Sequence, residues 1–313
     1  MELVKKGVVC DRDASVNVTM TPPYFFRLRR FKKNVLFSMF EFDALPNEWI
    51  QYLNKADLLI VPCSQNKKVF SSVSNTPVEI CPGGVDAELF PYRRREKTKP
   101  FTFLFVGAYN NRKGTWHIAK AWELWNQRYP ELAIESQLIM KMTSPTEEPI
   151  LRQLTPNAYI DLRVLPLTEH DGERLNLPTL AAVYDFANCF LFPTMGEGWG
   201  LPLCEAMSSG LPSIYTPFGG TEDTANAGYA YPVEYEMKTV YLCNPLSEQQ
   251  YKVNAPSPLI ESIVDRMHKI YVDYEAALDK AELAAYVMRS SFRWDQAADR
   301  FIEIISQYYP EAC

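Results

Sequence analysis

Histidine is almost missing from this chain. Only His117, His170 and His268 occur in 313 residues. Three are too few and too scattered to assemble a Ser-His-Asp arrangement or the ligand spacing of a metal centre, so each is read as structural. Cysteine is used seven times, as Cys10, Cys63, Cys81, Cys189, Cys204, Cys243 and Cys313. None forms a C-x-x-C pair and the number is odd, which excludes a disulfide framework and a structural zinc site. Several sit in apolar runs, as buried reduced thiols do. No stretch reaches the ~18 apolar residues of a membrane span, and the opening residues lack the apolar segment of a signal peptide. A cytoplasmic protein is therefore expected. A basic excess is also lacking. The net charge is -6, which argues against wholesale binding to nucleic acid. There is no internal repeat and no low-complexity segment.

Apolar residues make up 47 % of the chain, ample for packed cores. Short apolar runs alternate with helical patterns, the signature of an α/β fold with parallel strands. Strands are expected at Gly7–Cys10, Val35–Phe40, Leu58–Pro62, Val78–Cys81, Phe101–Val106, Ser136–Met142, Tyr159–Val164 and Ser213–Thr216. Helices are expected at Pro46–Ala56, from Gly114 to Tyr129, at Thr179–Ala187, within Pro258–Ser290 and at Asp295–Tyr308. Ile118, Trp122, Trp125 and Tyr129 recur at helical spacing and should form a buried face. Pro91–Pro100 carries Arg93, Arg94, Arg95, Lys97 and Lys99 between prolines and reads as an interdomain linker. A second basic cluster, Arg27, Arg29, Arg30, Lys32 and Lys33, reads as a solvated surface, with acidic lipid or a phosphorylated acceptor as the alternative.

One stretch stands out. Asn188–Phe192 reads as a buried strand, followed by Gly196, Gly198 and Gly200 and then a short helix opened by Pro202 and closed by Gly210. Glycines two apart let the backbone bend and approach a ligand without a Cβ. The helix start favours an anion. Glu197 lies inside the turn and Glu205 eight positions later. An ionised carboxylate only accepts hydrogen bonds, so these acids suit hydroxyl groups rather than phosphate. Amides for an anion beside acids for hydroxyls describe a sugar joined to a phosphate. Taken alone, the same residues are equally a tight loop with Glu205 capping its helix.

A second group is Gly107-Ala108-Tyr109-Asn110-Asn111-Arg112-Lys113-Gly114. It lies between an expected strand and an expected helix, at the sheet edge where open α/β folds bind ligands. Lys113 and Arg112 there would balance the charge of a diphosphate; the alternative is a solvated loop pair. Lys141, late in a strand near the same edge, and Arg163, Val164 and Leu165, ending another, are lesser candidates.

The run Glu197-Gly-Trp-Gly-Leu-Pro-Leu-Cys-Glu205-Ala-Met-Ser-Ser-Gly-Leu-Pro212, with Ser213–Thr216 and Gly219-Gly220 after it, resembles the E-x7-E signature of the retaining family-4 glycosyltransferases. The Gly107–Gly114 loop is similar to that family's phosphate-binding motif, except that Ala108 stands where an arginine is frequent. Arg112 is the candidate to supply the missing contact. Ser38–Asp43, Ala56–Ser64 and Pro82–Asp86 look like the later part of the family's acceptor-side domain.

The resemblance implies a GT-B fold: two Rossmann-like, doubly wound α/β domains facing a cleft, the first abridged because its opening part has no counterpart here. The expected division is an acceptor-side domain at 1–95, a nucleotide-sugar domain at 96–290 and a helix at 291–313 that crosses back. It implies sugar transfer from a nucleotide diphosphate sugar to an acceptor hydroxyl, with retained configuration, no metal and no other cofactor. Glu197, Lys113 and Arg112 would carry catalysis. Glu205, Gly196, Gly198, Trp199, Gly200, Leu201, Gly107, Arg163, Leu165 and Lys141 would bind the donor. Glu41 and Asp43 resemble the family's E-x-D and would face the acceptor; a plain helix-start or surface role is the alternative. Partners are then the nucleotide sugar and a carbohydrate or other hydroxyl acceptor, with peripheral membrane contact and a homo-oligomer left open. The alternatives are a nucleotide-sugar-binding module or subunit without catalysis, and a GT-B sugar-nucleotide epimerase or hydrolase.

Overall fold

The computed structural model describes residues 14–30, 32–142, 159–161, 177–243 and 250–312. Two parallel sheets organise these residues. The first contains β1 (Val16–Met20), β2 (Lys33–Phe37), β3 (Leu58–Val61) and β4 (Val78–Ile80), in that spatial order. All its pairs are parallel, so the chain must cross over between strands. α1 (Asn47–Leu53) and α2 (Ser64–Ser71) make two of the crossovers.

The second sheet contains β5 (Phe101–Gly107), β6 (Ser136–Met142), β7 (Tyr159–Asp161), β8 (Cys189–Phe192), β9 (Ser213–Tyr215) and β10 (Tyr231–Pro232). Their order is β10-β9-β8-β5-β6-β7 and every pair is parallel. The winding starts at β5, runs outward to β7, then returns to the other side with β8. β5 and β8 thereby become neighbours, with Phe103 opposite Cys189 and Leu104 opposite Phe190. That reversal is the point at which open α/β sheets hold ligands, beyond the carboxyl ends of the strands. Around this sheet lie α3 (Thr115–Arg128), α4 (Pro130–Ala133), α5 (Leu177–Asp185), α6 (Leu201–Ser208), α7 (Gly220–Thr224), α8 (Ile260–Val272) and α9 (Tyr274–Ser291). The stripe of α3 packs as its spacing predicts: Ile118, Trp122 and Trp125 are buried. Both tryptophan rings meet Phe103, at 6.2 and 5.5 Å between centroids. Tyr129 stays at the margin, stacked on His268 at 4.3 Å.

Two elements of the second half return to the first sheet. One is α10 (Trp294–Tyr308), whose Ile304 and Ile305 join Val35, Phe37, Leu58 and Ile60 in one apolar cluster. The other was not expected from the sequence. β11 (Tyr235–Cys243) and β12 (Gln250–Pro258) form an antiparallel hairpin. Val253 and Ala255 from it are fully buried with Phe40, Phe42, Trp49 and Leu59. β1 and α2 were also not expected, and the strand expected at Gly7–Cys10 lies outside the described residues.

The basic linker is not a free tether. Arg94 pairs with Glu275, Asp279 and Glu282 along α9 at 3.0, 3.1 and 3.3 Å. Arg95 is buried, and its guanidinium donates to Tyr184 O and Ser209 O, both at 2.9 Å. Lys99 pairs with Glu135 at 2.6 Å. Those basic residues dock the linker onto the second half. Arg27, Arg29 and Arg30 of the other cluster are exposed, with Phe25 and Leu28 exposed beside them. Among the described residues no helix is long and apolar enough to cross a membrane.

Candidate functional site

The two loops singled out in the sequence leave the adjacent strands β5 and β8 on the same sheet edge. Their apposition is built into the backbone. Gly114 has φ +75°, and a Cβ there would lie 2.1 Å from Pro193 O. Only glycine tolerates both the left-handed conformation and that approach. The Asn110 carboxamide accepts from Lys113 N at 2.9 Å and shapes the turn before it. Met195 N donates to Arg112 O at 2.7 Å, and Arg112 Nη1 donates to Gly196 O at 2.8 Å.

Held this way, the charged side chains converge. Lys113 Nζ donates to both oxygens of Glu197, at 2.8 and 2.9 Å. Arg112 Nη1 stands 3.4 Å from Glu197 Oε1, and Nη2 stands 3.3 Å from Glu41 Oε1. Glu197 is 5 % exposed, so its charge depends on these cations. Its backbone is fixed too, since Gly220 N donates to Glu197 O at 2.8 Å. Four sequence-predicted residues, Arg112, Lys113, Glu197 and Glu41, thus form one cluster of two cations and two acids.

Glu41 comes from the first half of the chain. Asn66 holds its segment, accepting from Phe40 N at 3.0 Å and donating to Phe40 O at 2.6 Å. Asp43 behaves differently. Its two oxygens accept from Asn254 N and Nδ2 at 2.7 and 2.8 Å. It binds the hairpin rather than pointing an unused carboxylate at the cleft.

The glycine turn needs a correction. Glycines there were expected to clear space for a ligand. At Gly196 (φ +146°) a Cβ would lie 2.2 Å from Glu41 O, and at Gly198 it would lie 2.7 Å from Met39 Sδ. The clearance admits the first half of the protein itself. Trp199 is likewise packed inside, against Gly83 and Phe292. Gly200, with φ +92°, caps α6, and Leu201 at the helix start is 41 % exposed. Pro202 has no N–H, and the amides of Leu203 and Cys204 donate to Gly200 O. The helix start is therefore less open to an anion than expected.

Glu205 lies in α6, apart from the ion cluster. Burial pushes its carboxyl up to about 7, and a hydrogen bond from Tyr184, 2.7 Å away, opposes that rise. Gly107 ends β5, and Lys141 is buried one strand away, opposite Val106. Arg163, Val164, Leu165 and His170 lie outside the described residues. His117 approaches Ser257 of the hairpin at 3.3 Å, and burial lowers its pKa to about 4, with the Lys238 charge adding to the drop. Thr194 was not singled out in the sequence. It lies in the loop against Gly114, and its buried hydroxyl has no partner among the described residues. Its position just past the strand at the winding reversal was the available signal.

Residues 100–249 match the family model described as "Glycosyl transferases group 1". A D-inositol 3-phosphate glycosyltransferase from Pseudarthrobacter chlorophenolicus is 31 % identical over 151 residues, 46 % of this chain and 34 % of that protein. One of the same name from Paenarthrobacter aurescens is 23 % identical over 229 residues, 71 % of this chain and 49 % of that protein. The chain thus spans between a third and a half of the length of these curated relatives. Among solved structures, a sucrose-phosphate synthase from Thermosynechococcus elongatus superposes with a TM-score of 0.68 at 17 % identity, covering 90 % of this chain and 69 % of that one. HepE from Anabaena, in complex with UDP and glucose, superposes with a TM-score of 0.63 at 14 % identity, covering 88 % and 72 %.

Proposed function

With residues 100–249 belonging to the glycosyl transferases group 1 family on a fold that matches GT-B glycosyltransferases, we propose that this chain moves a sugar from a nucleotide diphosphate sugar to an acceptor hydroxyl with retained configuration. The observation that carries the reading is the contact of Lys113 with Glu197 where β5 and β8 adjoin. That contact puts a cation for the diphosphate beside an acid for the sugar hydroxyls, in the place where α/β sheets bind ligands.

In this mechanism the bond from the anomeric carbon to the diphosphate oxygen breaks first, leaving an oxocarbenium-like sugar. Negative charge grows on the leaving oxygens, and Lys113 and Arg112 stabilise it. The acceptor hydroxyl attacks from the same face and gives its proton to the leaving phosphate oxygen. Glu197 turns from Lys113 to the sugar hydroxyls as the diphosphate takes the cation. Glu205 receives the ribose hydroxyls. Glu41, held by Arg112, borders the acceptor side. Two protein cations take the charge that a divalent ion would otherwise carry, so transfer proceeds without metal. On this reading residues 1–95 form the acceptor-side domain, 96–290 the donor-side domain and 291–313 the returning helix.

A panel of UDP-, GDP- and ADP-sugars, analysed by mass spectrometry for transfer and for slow donor hydrolysis, tests the proposal. Product from at least one donor, unaffected by EDTA, is expected. Nucleotide binding without turnover would favour the binding-module alternative, and no binding at all would overturn the reading.

A further inference from the structure

We propose that Tyr184 is a positioning residue: its phenol holds the half-buried Glu205 carboxylate in the orientation that receives a nucleotide's ribose hydroxyls. The inference rests on the ribose role of Glu205 given above.

Tyr184 lies near the end of α5 and has no exposed surface. Its hydroxyl donates to Glu205 Oε2 at 2.7 Å. The ring is gripped edge-on by Phe90 and Phe190, each 5.7 Å away between centroids. Its carbonyl accepts from Arg95 Nη1, while Nη2 of the same guanidinium donates to Ser209 O beyond the end of α6. Arg95 therefore clamps the ends of α5 and α6 together. Ser208 Oγ adds a bond to Phe90 O at 2.8 Å.

A buried tyrosine needs an acceptor, but a backbone carbonyl would serve for packing alone. Here the acceptor is a carboxylate. The phenol occupies Oε2 and leaves Oε1 for donors from a ligand. Burial pushes the Glu205 carboxyl up to about 7 and the phenol bond pulls it down. Burial and the nearby Glu205 together keep the phenol well above its usual pKa, so it stays a donor. Among the described residues, the nearby titratable and charged groups are Cys204 on the same helix, pushed by burial to about 12 and therefore neutral, Tyr215 of the same cluster, likewise raised by burial, and the Arg95 guanidinium on the Tyr184 carbonyl. α9 and β8, which pack against α6, bring apolar Ala284, Met288, Phe190 and Phe192 to this cluster, and β9 brings Tyr215. The Tyr184 hydroxyl is the group that lowers the Glu205 carboxyl against the effect of burial.

Two consequences separate this from mere packing. Ribonucleotide affinity should fall as pH drops through 7, because a protonated Glu205 is a poorer acceptor. Removing the phenol O–H should raise that midpoint. The test is calorimetry with UDP and 2′,3′-dideoxy-UDP from pH 6 to 8.5, with the GDP and ADP pairs in parallel, for the wild type and Tyr184→Phe. Tyr184→Phe should weaken the ribonucleotide by about tenfold at pH 7.5, the effect of losing a hydrogen bond to a charged group. It should leave the dideoxy form unchanged and move the pH midpoint upward. Equal weakening of both forms, or an unmoved midpoint, would overturn the proposal. If no nucleotide binds, the proposed function fails, and carbon-13 titration of the Glu205 carboxyl, assigned with Glu205→Gln, decides the role of Tyr184. A midpoint near 7 that rises in Tyr184→Phe supports it, and an unchanged one overturns it.

Discussion

Lys113 and Glu197 lie 84 positions apart in sequence and meet at 2.8 Å. The lysine spends its charge on an acid that is itself almost fully buried. On the proposed function, a diphosphate entering the cleft would draw Lys113 away from Glu197 and free the carboxylate for the hydroxyls of the sugar.

Removing either partner should cripple transfer. Lys113→Ala and Glu197→Ala are each expected to lower kcat/KM at least ~100-fold, the loss typical of one transition-state contact. Lys113→Ala should also cost up to about 3 kcal/mol of stability, the low end for a broken buried pair. Arg112 remains 3.4 Å from Glu197 and limits the damage. The double variant should regain much of the stability and none of the activity. Urea unfolding and turnover, measured on all three variants, check both statements.

The Gly114 backbone should tolerate no side chain. Gly114→Ala forces a Cβ toward Pro193 O at a positive φ, and a loss of about 2–4 kcal/mol is expected. Because the strain separates the two loops, nucleotide affinity should fall even where the variant remains folded. Denaturation and calorimetry on one preparation read both effects.

Asp43 is expected to act on the hairpin. Asp43→Ala removes two bonds to Asn254, and the half-exposed setting suggests a cost of about 1–2 kcal/mol. Limited proteolysis within residues 235–258 should accelerate. Asn254→Ala should reproduce part of the effect, and the two losses should not add.

Glu205 should show the opposite pH trend from an ordinary salt-bridged acid. Its carboxyl rises from 4.5 to about 7 on folding. Between those values the folded state binds more protons than the unfolded one, so stability falls as pH rises through this window. Glu205→Gln should therefore be as stable as the wild type below pH 4.5 and more stable at pH 8, by about 3 kcal/mol at most. Nucleotide affinity should fall at the same time. Thermal melts below pH 4.5 and at pH 8 measure the first effect.

Thiol reactivity should follow burial. Cys63 and Cys204 are pushed up to about 12 by burial, and Cys81 and Cys189 are raised by the same cause. Cys243 is exposed. A maleimide applied to the native protein at pH 7.5 should label Cys243 and spare these four, as read by peptide mapping.

Much of this arrangement is legible in the sequence. Lys113 and Glu197 sit in loops that follow strong apolar runs, and the carboxyl-end rule for α/β sheets brings such loops together. The hairpin was not legible. Met237 and Tyr241 face outward and β12 carries Pro256 and Pro258, a composition that reads as loop. Its stability comes from Phe40, Phe42 and Trp49, which no local pattern reports. The glycines were read correctly as points of close approach, but a glycine does not say what approaches: Glu41 and Met39 fill those places. Tyr184 carried no signal, because its partner lies 21 positions away beyond an intervening strand.

The first sheet is covered on one side by Val253 and Ala255 and on the other by Ile304 and Ile305. All four come from the far end of the chain. Residues 14–95 expressed by themselves would keep α1 and α2 over one face of the sheet but leave the Val35, Phe37, Leu58 and Ile60 face bare, and would clump. Cutting the polypeptide near residue 95 should give no autonomous pieces, and complementation would require both fragments to be made together.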